Sequence, residues 1–466
     1  MSKQTLSVGE HIERTRNGSV SVEEFIKEAM EKSVRIQEKY SPFITLNEKV
    51  QTPKTMGKLY GLAISVKDNI CTKGLQTTAG SKILEGYIPP FDATCIERAK
   101  AEGAFIIGKT TQDEFGFGTF SVNTKYPIPK NPFDIERTCG GSSGGAGCIT
   151  AAADFPHVAI AESTGGSITA PAAFTGTVGL TPTYGRVSRY GLIDYSNSMD
   201  KIGVLGRCVH DCALTLSVIS GHDFLDSTSV KTQTEDFVRY VGSGIDGMKI
   251  GIPKEYFSDG VDKRVSKHIM HKAKKFEELG AVCEEISLPA TAYAIPAYYL
   301  IAVSEASTNL AKYCGLRYGL QEEFSSNFDE YFSRVRTDGF GEEAKRRILL
   351  GTYARMVGFR DRYYLKAMKV RAMIIKEFKQ AFKKFDLLLT PSMPVVPPKF
   401  TDIKSLTPLQ NYYMDILTTA PNMAGMPTIS VPAGLIDDLP VGMQLIADQF
   451  KESNLIKAAS KIEGSA

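Results

Sequence analysis

Short apolar strand-like segments recur along the chain, at residues 62–66, 104–107, 248–252, 281–286, 387–389 and 428–431, with helical patterns between them, and those at 62–66, 104–107 and 387–389 are nearly unbroken apolar runs. A strand that lacks polar alternation is apolar on both faces and must be covered on both. The expected fold is therefore α/β, a large mixed β-sheet with helices on both faces. Ser21-Val22-Glu23-Glu24 reads as a capping box opening a helix, with Ile26, Met30 and Val34 along one face. Residues 94–101 read as a helix stopped at Gly103. From about 296 to 385 the pattern becomes almost wholly helical, a cover inserted between strands. Length alone suggests about three domains. Yet no linker rich in Pro, Ser and charge interrupts the 466 residues and no internal repeat is found, so one large domain is expected, with helices over 1–55.

Charge and composition exclude several classes of function. With 55 basic and 52 acidic residues the net charge is +3, which gives no electrostatic case for wrapping nucleic acid or lying on an anionic membrane. No apolar run approaches the ~20 residues of a membrane span. The opening MSKQTLSVGEHIERTRNGS lacks the apolar core of a secretory signal. The eight cysteines form no CxxC pair, so reduced thiols and a cytoplasmic location are expected. The six histidines are scattered and make no metal motif, so no metal is expected.

Chemistry concentrates in two serine-glycine clusters, GGSSGG at 140–145 and STGGS at 163–167. They read either as flexible loops or as a hydroxyl nucleophile with its relay partner, held where only glycine lets a reacting backbone come close. Neither serine lies in G-x-S-x-G or beside a histidine. Lys67 in ISVKDN ends an apolar strand, where α/β folds place their sites. It reads as a surface lysine, or as a buried one whose charged form is disfavoured and which can act as a neutral base. The small residues Thr164, Gly165, Gly166 and Ser167 could turn successive N–H groups inward toward an oxyanion. Together these features sketch acyl transfer at a carbonyl. Gly103-Ala-Phe-Ile-Ile-Gly108-Lys109-Thr110 formally fits a P-loop, but its middle reads as a strand and what precedes it as a helix.

GGSSGG, the later GGS and the upstream strand-end KDN resemble the amidase signature family, a Ser-Ser-Lys group of amide hydrolases. The resemblance implies an amidase-signature fold with its catalytic core over 56–245. It makes Ser167 the nucleophile, Ser142 the bridging serine after a cis peptide, and Lys67 the base. Thr164, Gly165 and Gly166 would form the oxyanion hole.

TPTYGRVSRYGLIDYSNSMDKIG, GFGEEAKRRILLGTYA and NMAGMPTISVP narrow the likeness to A subunits of glutamyl-tRNA(Gln) amidotransferases, from about residue 60 to 446. Such a subunit hydrolyses glutamine and passes ammonia to a B subunit. B uses ATP and Mg to amidate the glutamate on misacylated tRNA, and a small C subunit clamps the pair. No cofactor is implied for this chain, and tRNA is met only through the complex. Tyr298, Arg347 and Asp415 would bind glutamine, Arg347 its α-carboxylate and Asp415 its α-ammonium. The 296–385 helices would cover the substrate. The chain departs from the usual GGSIRQP at Thr169 and Ala170, and its Ser142-to-Ser167 spacing is one residue longer. A stand-alone amidase for small or aryl amides and a silent scaffold are the rival readings.

Overall fold

The computed structural model describes residues 6–324 and 327–463. Its centre is a mixed sheet of 11 strands. In chain order these are β1 (Phe43–Leu46), β2 (Ala63–Lys67), β3 (Phe105–Thr110), β4 (His157–Ser163), β5 (Val178–Thr181) and β6 (Lys201–Gly206), then β7 (Lys249–Pro253), β8 (Val282–Ile286), β9 (Leu387–Pro391), β10 (Thr428–Ile436) and β11 (Leu439–Ala447). Across the sheet the order is β1-β3-β2-β4-β6-β5-β10-β11-β9-β7-β8. Strand β2 runs parallel to β3 and β4, and β7 to β8 and β9, while the middle of the sheet is antiparallel.

All six segments fall on strands: β2, β3 and β9 are buried at every residue, as are β4, β5, β6 and β11, which the sequence did not single out. Edge strand β8, with Glu284 and Glu285 in its middle, is largely exposed. The P-loop look-alike lies in β3, where Gly108, Lys109 and Thr110 are buried strand residues. There Lys109 Nζ donates to the Ile70 carbonyl at 2.6 Å and to Thr77 Oγ1 at 2.8 Å.

Over 1–55, whose first five residues lie outside the described ones, the structure has helices Val8–Arg16 and Val22–Tyr40 and then the strand β1. The reciprocal capping box belongs to Ser7 and Glu10; Ser21 caps its helix by accepting from the Glu24 N–H, and its hydroxyl bonds Glu23 rather than Glu24. Between β8 and β9 stand helices Ala294–Asn309, Phe328–Gly339, Glu342–Arg355 and Lys366–Ala381. The helical expectation over 296–385, of which 325 and 326 lie outside the described residues, fails at 313–324. There Gly319 adopts φ +62°, and a Cβ on it would come within 2.2 Å of the Ile83 carbonyl oxygen. Left-handed backbone and close approach to another segment keep this stretch out of a helix.

Candidate active site

Parallel pairing of β2 with β4 brings Lys67, at the end of β2, to the same edge as the STGGS turn that follows β4. Ser142 enters from the loop before helix Gly144–Ala152, and the Gly141–Ser142 peptide is cis. That loop packs tightly. A Cβ on Gly141 would lie 2.4 Å from Asp113 Oδ2, and the Asp113 N–H donates to the Ser142 carbonyl at 3.2 Å. The Asp113 carboxylate in turn accepts from the N–H groups of Ser121 and Asn123, at 2.8 and 2.9 Å.

Lys67 and Ser142 are fully buried, and Lys67 Nζ lies 2.7 Å from Ser142 Oγ. The surface reading of Lys67 is thereby excluded. The lysine Nζ also donates to the Glu162 carbonyl at 3.0 Å and to Glu162 Oε2 at 2.8 Å. This buried carboxylate was absent from the sequence reading, which treated the lysine as alone. An acid closing the apolar run VAIAE, directly before STGGS, was the signal available.

Ser167 stands at the start of helix Thr169–Thr175 and is 7% exposed, so of the three residues it is the one within reach of a ligand. Its carbonyl accepts from the Ser143 N–H at 3.3 Å, and the Ser143 hydroxyl donates to the Glu162 carbonyl at 3.0 Å. The two serine-glycine segments are thus bound to each other and to the strand carrying Glu162. Such an arrangement can pass a proton between a serine hydroxyl and a lysine.

Thr164, Gly165 and Gly166 form the turn before Ser167. The Thr164 hydroxyl lies 2.7 Å from both Glu162 Oε1 and Asp200 Oδ1, so its side chain faces away from an oxyanion position and only its N–H is available for that role. A Cβ on Gly165 would come within 2.6 Å of the Tyr298 hydroxyl, and one on Gly166 within 2.2 Å of Thr418 Oγ1. Only glycine fits at either position. Asn422 Nδ2 fixes the turn by donating to the Gly165 carbonyl at 2.8 Å.

Two of the three residues assigned to glutamine, Tyr298 and Asp415, reach this turn, the second through Thr418. Tyr298 packs on Gly165. Asp415 lies on the segment leading to Thr418, whose hydroxyl donates to the Asp415 carbonyl at 3.2 Å. Its carboxylate accepts from Thr119 Oγ1 at 3.0 Å and from the Tyr299 hydroxyl at 2.9 Å. Burial pushes the Asp415 carboxyl up to about 6, against the lowering effect of those bonds and of Arg347.

Arg347, which sequence alone would place on an exposed helix face, is 2% exposed. Its Nε donates to Glu343 Oε1 at 2.8 Å and its Nη1 to the Tyr195 hydroxyl. Four rings surround the guanidinium, Phe117, Tyr299, Tyr195 and Tyr412, with centroids 4.9, 5.3, 5.5 and 5.6 Å away. Neither of those bonds uses Nη2. A cleft of about 740 Å³ is walled by Arg347, Thr119, Tyr299, Glu343 and Tyr412 among others. Asp415 lies behind Thr119 and Tyr299, and Lys67, Ser142 and Ser167 are not among the cleft's walls. Sequence reasoning missed Tyr299, Tyr412, Thr119, Glu343 and Tyr195. Of these, only Tyr299 carried a signal, its place beside Tyr298 in PAYYL.

The amidase family model matches residues 11–456. The A subunit of the glutamyl-tRNA(Gln) amidotransferase of Carboxydothermus hydrogenoformans is 47% identical over 470 aligned positions, covering 98% of this chain and 96% of that protein. Its counterpart in Persephonella marina is 45% identical, covering 96% and 91%. Among solved structures, the glutamyl-tRNA(Gln) amidotransferase A subunit of Thermotoga maritima superposes with a TM-score of 0.81 at 35% identity, covering 96% of this chain and 95% of that one. Likeness at this level over nearly the whole length places the chain in the amidase family and, within it, among the A subunits of glutamyl-tRNA(Gln) amidotransferases.

Proposed function

We propose that the chain is the glutamine-hydrolysing subunit of a tRNA-dependent amidotransferase, in which Ser167 attacks the side-chain amide of glutamine. Ser142 takes the proton from Ser167 and passes it to Lys67. The N–H groups of Thr164, Gly165 and Gly166 hold the oxyanion of the tetrahedral intermediate. Collapse returns the proton to the leaving nitrogen, releasing ammonia and an acyl-Ser167 that water then hydrolyses. B and C subunits complete the assembly in the cytoplasm. ATP and Mg act at B, where Glu-tRNA(Gln) becomes Gln-tRNA(Gln), and tRNA is contacted through the complex. This subunit needs no cofactor or metal. The 296–385 helices cover the substrate.

One observation carries the choice of glutamine. A buried, ring-enclosed Arg347 and a buried Asp415 share Tyr299, whose ring lies against the Arg347 guanidinium and whose hydroxyl donates to Asp415, a pairing that suits a ligand bearing both a carboxylate and an ammonium. A small or aryl amide presents neither charge. The test uses the complex reconstituted with B and C. Ser167→Ala should abolish amidation from glutamine and leave amidation from ammonium salt near its original rate. Equal loss with both nitrogen donors would remove Ser167 from the mechanism. Hydrolysis of neutral aryl amides in preference to glutamine would favour the stand-alone amidase.

A further inference from the structure

Three acceptors surround Lys67 Nζ: Ser142 Oγ at 2.7 Å, the Glu162 carbonyl at 3.0 Å and Glu162 Oε2 at 2.8 Å. That is the environment of an ammonium, with every N–H used and no lone pair left for Ser142. To serve as a base it must first lose a proton, and the site excludes solvent, since Lys67 and Glu162 are fully buried. The carboxylate beside it is the acceptor within reach.

We infer that Glu162 is a positioning residue for the reaction, taking the proton that Lys67 sheds so that the lysine becomes a neutral base without exchanging with bulk water. The N–H bond of Lys67 breaks as an O–H bond forms on Glu162, and the pair stays neutral overall. Rotation about Cε–Nζ then turns the amine lone pair toward Ser142. When ammonia leaves, the protons retrace these steps.

Two features of the surroundings fit a carboxyl that is charged in one state and protonated in the other. Asn69 Nδ2 donates to Glu162 Oε2 at 3.1 Å, while Asn69 Oδ1 is buried and has no partner among the described residues. Turning that amide over offers Oδ1 to the proton of a protonated Glu162 and Nδ2 to a charged one. On the other oxygen, Thr164 Oγ1 sits 2.7 Å from both Glu162 Oε1 and Asp200 Oδ1. One hydroxyl proton cannot serve two carboxylates, so one of the two carboxyls is itself protonated. Asp200 is the one we assign: burial raises its carboxyl well above the usual range, with the Glu162 charge adding to the effect, against the Tyr195 and Ser196 N–H groups that donate to it at 2.9–3.0 Å. It then donates to Thr164, which donates to Glu162. The other ionisable groups acting on the network are Asp113, whose carboxyl feels the Lys67 charge, and Arg189, Asp194, Tyr195 and Tyr184 around Asp200.

The inference rests on Lys67 being the base, a reading that Ser167→Ala checks separately by loss of glutaminase activity. Its own test is the shape of kcat/KM against pH for ammonia release from glutamine by the assembled complex, between about pH 7 and 8.5, above the range in which Asp113 and Asp415 titrate. The wild-type protein should show a plateau, because the activating proton transfer is internal. Glu162→Gln should be slower at pH 7 and should acquire a rise approaching tenfold per pH unit, since its lysine must exchange with solvent. Asp200→Asn, which replaces a neutral acid by a neutral amide, should keep the plateau. A tenfold-per-unit rise in the wild-type protein would overturn the inference even if Glu162→Gln failed to fold. So would a Glu162→Gln profile parallel to wild type, which is what a purely structural carboxylate gives.

Discussion

Arg347→Ala is the perturbation that most directly asks whether this site selects an amino acid. The guanidinium is 2% exposed, enclosed by four rings and held by Glu343 and Tyr195, so a carboxylate binding there would meet a fixed, largely dehydrated cation. Truncating one partner of such a pair costs about 2–5 kcal/mol, much of it from the charge left unpaired. At 1.4 kcal/mol per tenfold, the KM for glutamine should rise roughly thirtyfold to several thousandfold. Glu343 also loses its Nε partner, though Tyr412 still donates to Glu343 Oε1 at 2.9 Å, so some stability is lost as well. Thermal unfolding of the variant separates that loss from binding. The discriminating assay compares glutamine with a neutral primary amide lacking the α-carboxylate. Preference for glutamine should collapse, because the neutral amide never used the charge. Equal weakening of both substrates would make Arg347 a packing residue and refute the argument.

Two further outcomes follow from buried titratable groups. Asp415 must be charged to hold an α-ammonium, and burial pushes its carboxyl up to about 6, so the KM for glutamine should rise as pH falls below about 6. Asp415→Asn should weaken glutamine at every pH and remove that dependence. His157, buried at the start of β4 with Nε2 3.0 Å from Ser65 Oγ, is pushed down from 6.5 to about 3 by burial. The unfolded chain therefore binds a proton that the folded one refuses, and stability falls as pH drops below about 6.5, by up to about 1.4 kcal/mol per unit. His157→Gln should flatten that decline in urea unfolding between about pH 7 and 5. An unchanged slope would mean that the imidazole accepts its proton in the folded state.

The sequence was informative where one physical demand dominates. An apolar run buried on both faces has few alternatives to a covered strand, so β2, β3 and β9 were visible, and β7, β8 and β10 showed as less continuous apolar segments, while the fully buried β4, β5, β6 and β11 were not singled out. The serine-glycine turns were visible for a similar reason: Gly165 and Gly166 touch Tyr298 and Thr418 too closely for any side chain. What escaped depends on pairings distant in the chain. Glu162 meets Lys67 only because β4 lies beside β2, and Thr119 meets Asp415 across 296 positions. The burial of Arg347 was hidden because its neighbour Arg346, also basic, has a side chain 43% exposed; only packing separates the two. The short strand β1 escaped because its residues are mostly half-buried and lack a strong pattern.

Thr169 and Ala170, which stand where the family pattern has arginine and glutamine, show what this chain has done behind its nucleophile. Both are fully buried in the helix that begins two residues after Ser167. Ala170 packs among Phe120, Ala173, Phe174 and Met393, and a Cβ on Gly140 would already come within 2.9 Å of its carbonyl. The neighbourhood is apolar and close-packed. Thr169 Oγ1 finds no hydrogen-bond partner among the described residues, and the carbonyl one turn back, that of Gly165, is taken by Asn422. A buried hydroxyl without a partner costs about 1–3 kcal/mol relative to an apolar group of the same shape. Thr169→Val keeps the shape and removes the hydroxyl, so it should raise the melting temperature and leave kcat and the KM for glutamine unchanged. If the variant instead lost turnover while gaining stability, the hydroxyl would be in use during the reaction. The departure from the family pattern would then be part of the chemistry rather than of the packing.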